Sequence, residues 1–103
     1  MKHALLTAAV IALLGTMGTV QAAGDAAAGK ARANACGGCH GVNGEGKDKN
    51  PPLAGKPESE FVQALKDYKS GKRQNAMMKT FAAPLSDQDM ANLAAYYAAL
   101  KAK

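Results

Sequence analysis

The chain has 103 residues, and its 13 lysine and arginine residues against 8 acidic residues give a net charge of +5. This length is typical of one domain, and three tyrosines, two phenylalanines and no tryptophan predict a thin hydrophobic core. Because the basic residues are spread along the chain rather than clustered with aromatic residues, the composition argues against nucleic-acid binding.

The first 22 residues have the three-part layout of a secretory signal peptide. A short basic start, Met1 to His3, precedes an apolar run from Ala4 to Leu14, and small residues follow up to Ala22. The alternative is a retained membrane anchor, but eleven apolar residues are too few for a span, which needs about 20. We therefore predict cleavage after Ala22, a periplasmic location and a mature domain of residues 23–103, with a charge of +4 and no stable membrane span.

Two helices are predicted in the first half of the mature chain. Asp25 is a good N-cap for a short helix that runs to Cys36, and a glycine-rich loop follows from Gly37 to Gly55. Acidic residues after Pro57 open a second helix, which ends near Gly71. Its apolar residues recur at helical spacing: Phe61, Val62, Leu65 and Tyr68.

A further helix is predicted near the C-terminus, after a loop from Lys72 to Pro84. Ser86 and Asp89 resemble a capping box, with Asp where Glu or Gln is usual. The apolar stripe of this helix consists of Met90, Leu93, Ala94, Tyr97 and Leu100. The pattern predicts an all-α fold with three or more helices and no sheet.

The chemistry is concentrated in one motif, Cys36-Gly37-Gly38-Cys39-His40. A disulfide would close a very short loop and stabilise little, and a thioredoxin-like redox pair would follow a strand rather than a helix. A structural zinc site needs four ligands, and the only other histidine, His3, leaves with the signal peptide. The spacing C-x-x-C-H is the attachment motif of c-type haem, in which both thiols form thioethers and the histidine binds the iron. A buried haem would also supply core volume that the composition lacks.

Beyond this motif, the whole mature chain resembles the class I c-type cytochromes, in particular short bacterial monohaem proteins and the halves of dihaem periplasmic cytochromes. The resemblance runs through the stretches GDAAAGKARANACGGCHG, PPLAGK, YKSGKR and NAMMKTFAAPLSDQDMANLAAYYAAL. It implies a small cytochrome c fold around one covalent haem c, and a single-electron carrier that exchanges electrons with other redox proteins.

The second iron ligand is expected to be a methionine, since a thioether opposite histidine favours Fe(II) and raises the potential. Met90 lies on the apolar stripe of the last helix, where core packing explains it. Met77 and Met78 lie in the predicted second loop, and the resemblance implies that Met78 is the ligand. The alternative is that both side chains only pack against the haem as adaptable filler.

The resemblance also implies supporting roles for three residues. The carbonyl of Pro51, or of its neighbour Pro52, is expected to accept the ring N–H of His40 and so to fix the imidazole. Gly29 and Tyr96 are expected to mark a close crossing of the first and last helices, which is a packing feature.

Two other classes of protein remain as alternatives to a free carrier. One is the cytochrome subunit of a periplasmic dehydrogenase, for example a flavoprotein acting on reduced sulfur. The other is an open-site haem enzyme or sensor, although no second histidine survives processing to assist peroxide chemistry. Basic residues in the two loops predict an acidic docking partner, with an ordinary solvated surface as the alternative: Lys47, Lys49, Lys56, Lys72, Arg73 and Lys79.

Overall fold

A computed structural model describes residues 23–101 and contains four α-helices and no strand in that range. The predicted signal peptide, residues 1–22, lies outside the described residues. The all-α prediction of three or more helices is confirmed, and the helix not placed from the sequence is the third in chain order. In chain order the helices are α1 (Ala26–His40), α2 (Glu58–Ser70), α3 (Ala76–Ala82) and α4 (Asp87–Ala99).

Helix α1 begins where predicted but extends beyond its predicted end at Cys36. The Asp25 side chain caps it by accepting from the N–H groups of Ala27 and Ala28. The prediction that a loop starts at Gly37 was wrong, because the helix continues through both glycines to His40. Two glycines disfavour a helix by about 2 kcal/mol in total. The following segment compensates, since it hydrogen-bonds the last carbonyl groups of α1.

Helix α2 matches its prediction closely. Glu58 and Glu60 lie in its first turn, and Gly71 ends it in a left-handed conformation with φ of 87°. The apolar residues predicted for one face lie towards the core, with Phe61 and Leu65 buried and Val62 and Tyr68 partly buried.

The prediction that Lys72 to Pro84 is an irregular loop was wrong, because this segment contains helix α3. Asn75 caps α3, since its side-chain oxygen accepts from the N–H of Met78 at 3.1 Å. The sequence signal was weak because the helix is only seven residues long. Tertiary packing stabilises so short a helix, and Ala82, which is completely buried, anchors it against the core.

Helix α4 has the predicted capping box, in which Ser86 and Asp89 each accept from the other's backbone N–H at 3.0 Å. Its predicted stripe supplies four of the nine residues of the buried core cluster: Met90, Leu93, Ala94 and Tyr97 are each 1% exposed. Leu100 is the C-cap rather than a helical residue and is partly buried.

The first and last helices cross closely at Gly29, as the resemblance implied. The partner of Gly29 is the backbone of Asn92 and Leu93, and the Tyr96 ring instead packs edge-on against Tyr97 with ring centroids 5.1 Å apart. An ion pair between Arg32 and Asp89, at 3.2 Å, joins the same two helices. No helix within residues 23–101 has the length and apolar character needed to cross a membrane.

Candidate functional site

The two cysteines lie in the last turns of α1, three residues apart and therefore on one face of the helix. Both thiols are free; Cys36 is partly buried and Cys39 is exposed. Burial raises the pKa of the Cys36 thiol. Burial likewise raises the pKa of Tyr97. Both thiols border the same cavity.

His40 is the last residue of α1 and the only buried polar or charged side chain among residues 23–101. Its Nδ1 lies 2.8 Å from the carbonyl oxygen of Pro51. Because a carbonyl only accepts, Nδ1 carries a proton, and Nε2 is the nitrogen that has the lone pair in the neutral ring. His40 also borders the cavity that contains the two thiols.

The segment between α1 and α2 folds back onto the end of α1. Gly44 accepts hydrogen bonds from the N–H groups of Leu53 and Ala54, at 2.8 and 2.9 Å, which closes the segment into a loop. Asn50 donates its side-chain amide to the carbonyl oxygen of Cys39 at 2.9 Å. Sequence reasoning missed this residue; its place directly before Pro51 was the only local signal.

The cavity contains about 1040 Å³ of empty space, including the space at its open mouth. The walls come from the end of α1, from the loop after it, from α2 and α3 with the segment between them, and from Leu93 of α4. The apolar and aromatic residues that line it are Ala35, Leu53, Phe61, Ala64, Leu65, Tyr68, Met77, Met78, Phe81 and Leu93.

The three methionines within residues 23–101 have different surroundings. Met77 and Met78 both line the cavity, but Met77 is 63% exposed whereas Met78 is partly buried and packs against the core. Met90 is buried in the core and does not line the cavity, as its place on the apolar stripe predicted.

The six basic loop residues that predict an acidic partner form what we call the basic rim, and three of them line the cavity. Lys49, Lys56 and Arg73 line it, and the described residues in its wall include no aspartate or glutamate. The guanidinium of Arg73 lies over the ring of Tyr68, 4.8 Å from the ring centroid, which fixes the position of this charge. The remaining basic residues of the predicted rim, Lys47, Lys72 and Lys79, are exposed and lie outside the cavity wall.

The donor set of this cavity fits a covalently bound haem. Two free thiols stand at one end of an apolar space, next to an imidazole whose Nε2 has a free lone pair. A thioether sulfur, that of Met78, belongs to a different wall, on α3. Imidazole and thioether are the pair of axial ligands that electron-transfer cytochromes use.

Comparisons with known proteins agree with this fit. A family model described as cytochrome c matches residues 26–101. The chain is 44% identical to cytochrome c4 of Pseudomonas aeruginosa over 97 residues, which cover 93% of this chain and 48% of the relative. It is 40% identical to a protein of Thiomonas intermedia named thiosulfate dehydrogenase electron acceptor, covering 73% of this chain and 36% of that protein. The chain thus spans about half the length of the cytochrome c4 relative.

The solved structures give the same result. Reduced cytochrome c4 from Pseudomonas stutzeri superposes with a TM-score of 0.74 at 37% identity, over 79% of this chain and 48% of that one. The region that matches the cytochrome c family model covers most of the chain. The C-x-x-C-H motif within this region accounts for one covalently attached haem c. The chain, with its four helices around a cavity that contains Cys36, Cys39 and His40, belongs to the cytochrome c family.

Proposed function

We propose that this chain is a periplasmic single-electron carrier in which Cys36 and Cys39 bind one haem c covalently and His40 and Met78 bind its iron. When bound, the haem supplies the one-electron redox chemistry, and the protein sets the potential and presents the haem edge. The observation that carries the proposal is the hydrogen bond between His40 and Pro51. His40 directly follows Cys39, which provides the second thiol.

The hydrogen bond to Pro51 prepares His40 to act as a ligand. It holds the proton on Nδ1, so that Nε2 is the basic nitrogen, and it fixes the plane of the ring. Burial of the side chain, which is 6% exposed, restricts the ring further. A ring held in this way would move little when the iron changes oxidation state, which favours fast electron exchange.

Met78 is supported over Met77 by burial and by backbone anchoring. The N–H of Met78 is bonded to the Asn75 cap, which fixes its backbone in the first turn of α3. Its side chain packs against the core, whereas that of Met77 is largely exposed to solvent. Because the thioether of Met78 is less exposed to water than that of Met77, it is the better partner for the iron.

A carrier is favoured over a haem peroxidase by the chemistry of the cavity wall. Among the described residues that line the cavity, His40 is the only histidine and no carboxylate is present. Peroxide cleavage uses an open iron position with a distal acid–base group. With His40 and Met78 as the two iron ligands, no iron position would remain open for peroxide, and electron transfer would be the chemistry left to the haem.

The test is spectroscopic and chemical. The purified holoprotein should cycle between ferric and ferrous states without turnover of peroxide, and the ferric form should show the weak absorption band near the red end that marks methionine–iron bonding. The His40–Met78 ligation would be refuted by a ferric protein that lacks this band and binds cyanide or imidazole without having to displace a methionine from the iron.

A second candidate function is the electron-accepting component of a sulfur-oxidising dehydrogenase. It is favoured by the 40% identity to the Thiomonas intermedia protein named thiosulfate dehydrogenase electron acceptor. Both candidates use the same haem site, so they differ only in the partner. Stable copurification with a dehydrogenase from the native host, and reduction on addition of thiosulfate, would select the second candidate.

The redox partner is proposed to carry an acidic docking surface. Lys49, Lys56 and Arg73 give the cavity mouth a positive charge with no acid in the described wall. Charges of this kind steer an oppositely charged protein into encounter with the haem edge. The proposed periplasmic location includes export with cleavage after Ala22, and N-terminal sequencing of the protein from its host would test the cleavage.

A further inference from the structure

The segment between α1 and α2 makes three hydrogen bonds to the last two residues of α1. The N–H of Gly46 donates to the carbonyl oxygen of His40 at 2.7 Å, and the amide of Asn50 donates to the carbonyl oxygen of Cys39 at 2.9 Å. The third bond runs from Nδ1 of His40 to the carbonyl oxygen of Pro51 at 2.8 Å. One short segment therefore holds both the backbone and the ring of His40.

Asn50 is the residue on which this arrangement depends. Its backbone exchanges two hydrogen bonds with Lys47, at 3.1 and 2.9 Å, across a tight turn in which Asp48 has φ of 55°. On its other side stands Pro51, and a residue before proline is restricted to extended conformations. The backbone of Asn50 is thus fixed in both directions, and its side chain adds the bond to α1 that lies between those made by Gly46 and Pro51.

The bond from Asn50 requires a donor. The carbonyl of Cys39 is one of the last four of α1, which have no partner within the helix. An asparagine amide can donate to it, whereas an ionised carboxylate has only acceptor oxygens and an alanine methyl group has neither. At position 50 an asparagine amide can therefore donate to the Cys39 carbonyl, whereas an ionised aspartate or an alanine could not.

We propose that Asn50 is a positioning residue for the axial histidine. Its amide holds the turn against the end of α1, and the next carbonyl, that of Pro51, is thereby kept on the Nδ1 proton of His40. This hydrogen bond makes Nε2 more basic, and a more basic ligand favours Fe(III). The inference rests on the proposed function, in which His40 binds iron.

The test compares Asn50→Ala with Asn43→Ala in the holoprotein. Asn43 is an exposed asparagine of the same segment whose side chain makes no hydrogen bond to residues 23–101. Losing one hydrogen bond should make the Nδ1 proton of His40 exchange with solvent about two- to tenfold faster in Asn50→Ala. The reduction potential of this variant should rise, and Asn43→Ala should leave both quantities unchanged.

If Asn50→Ala folds and binds haem but matches Asn43→Ala in exchange rate and potential, Asn50 only caps a helix and the proposal is wrong. If Asn50→Ala yields no holoprotein, the proposal is tested by hydrogen exchange in the unmodified holoprotein. Its Asn50 side-chain amide protons should be protected from exchange together with the Nδ1 proton of His40, and free exchange of the amide would overturn the proposal. Absence of histidine ligation in the unmodified protein would instead refute the proposed function, before any variant is made.

Discussion

Gly29 in α1 lies directly against the backbone of Asn92 in α4. A Cβ atom at Gly29 would stand 2.0 Å from the carbonyl oxygen of Asn92 and 2.6 Å from its carbonyl carbon. Asn92 also binds the start of the domain, because its side-chain oxygen accepts from the N–H of Asp25 at 2.8 Å and from Gln88 at 2.9 Å. The crossing of α1 and α4 thus joins the two ends of the described chain.

Gly29→Ala should lower the free energy of unfolding by about 1–3 kcal/mol, because a backbone contact cannot give way as a flexible side chain would. The higher helix propensity of alanine offsets the loss by only about 1 kcal/mol. Guanidinium unfolding of the holoprotein would measure the change. Lys30→Ala, at the exposed neighbouring position, serves as the control and should change stability by less than about 0.5 kcal/mol.

Met78→Ala should open the iron to added ligands and lower the reduction potential, since a thioether stabilises Fe(II). The matched control is Met77→Ala, which removes a methionine from the same cavity wall but from a side chain that is 63% exposed. Imidazole titration and potentiometry of both variants would measure the effect. The opposite ranking of the two variants would assign the ligand to Met77.

The sequence predicted the parts of this fold that depend on local signals. Asp25, Ser86 and Gly71 cap or end helices where their residue types indicated. The extension of α1 to His40 was not predictable in this way, because Gly37 and Gly38 disfavour a helix. The bonds that hold this last turn come from a segment up to eleven residues further along the chain.

Some residues of the candidate site were predictable from a local motif, and others only from family resemblance. The motif identified Cys36, Cys39 and His40 because their spacing has a specific chemistry. Met78 and Pro51 were expected from family resemblance alone, since nothing in their immediate neighbours distinguishes them from Met77 and Pro52. Asn50 was missed because its partner, the Cys39 carbonyl, is a backbone atom and leaves no mark in the sequence.

The mature protein should carry one haem through two thioether bonds. The two cysteines are the only ones in the chain, and both border the cavity as free thiols. Intact mass measurement of protein from cells with haem-attachment machinery should give the chain from Ala23 plus one haem. Replacement of both cysteines with alanine should remove the covalent haem, and a bare polypeptide mass for the unmodified protein would contradict the prediction.

Asp89 should make stability depend on pH in acid. Hydrogen bonds from Ser86, assisted by the nearby charge of Arg32, hold the pKa of Asp89 below its ordinary value. The depressed pKa means that Asp89 contributes fully above the unfolded-state pKa, about 3.9, and that the contribution is lost as pH falls through the folded-state value. Asp89→Asn should therefore cost about 0.3–1 kcal/mol near neutral pH and almost nothing in strong acid.

Chemical unfolding of both proteins across the acid range would measure this difference. Asp87→Asn is the control, since Asp87 lies in the same first turn of α4 without belonging to the capping box. A difference between the unmodified protein and Asp89→Asn that stays constant down to the lowest pH would show that the carboxylate charge is not what stabilises the helix start.

Electron transfer to the physiological partner should slow as salt rises, because charges at a docking rim act mainly on the encounter rate. Their field decays over about 8 Å at physiological ionic strength. The informative variant neutralises the exposed lysines that flank the cavity without lining it, because these changes leave the cavity wall intact. It replaces Lys47, Lys72 and Lys79 with glutamine.

The control variant removes the same number of charges elsewhere, by replacing Lys30, Lys66 and Lys101 with glutamine, none of which lines the cavity. Net charge is then equal in the two variants, so a difference between them reports where the charge lies. Stopped-flow rates should fall further in the flanking variant, and its rate should depend less on salt. Equal rates in the two variants would mean that only net charge attracts the partner. Rates unaffected by salt or by either variant would favour an apolar contact through Met77 and Phe81, the large exposed apolar side chains of the cavity wall.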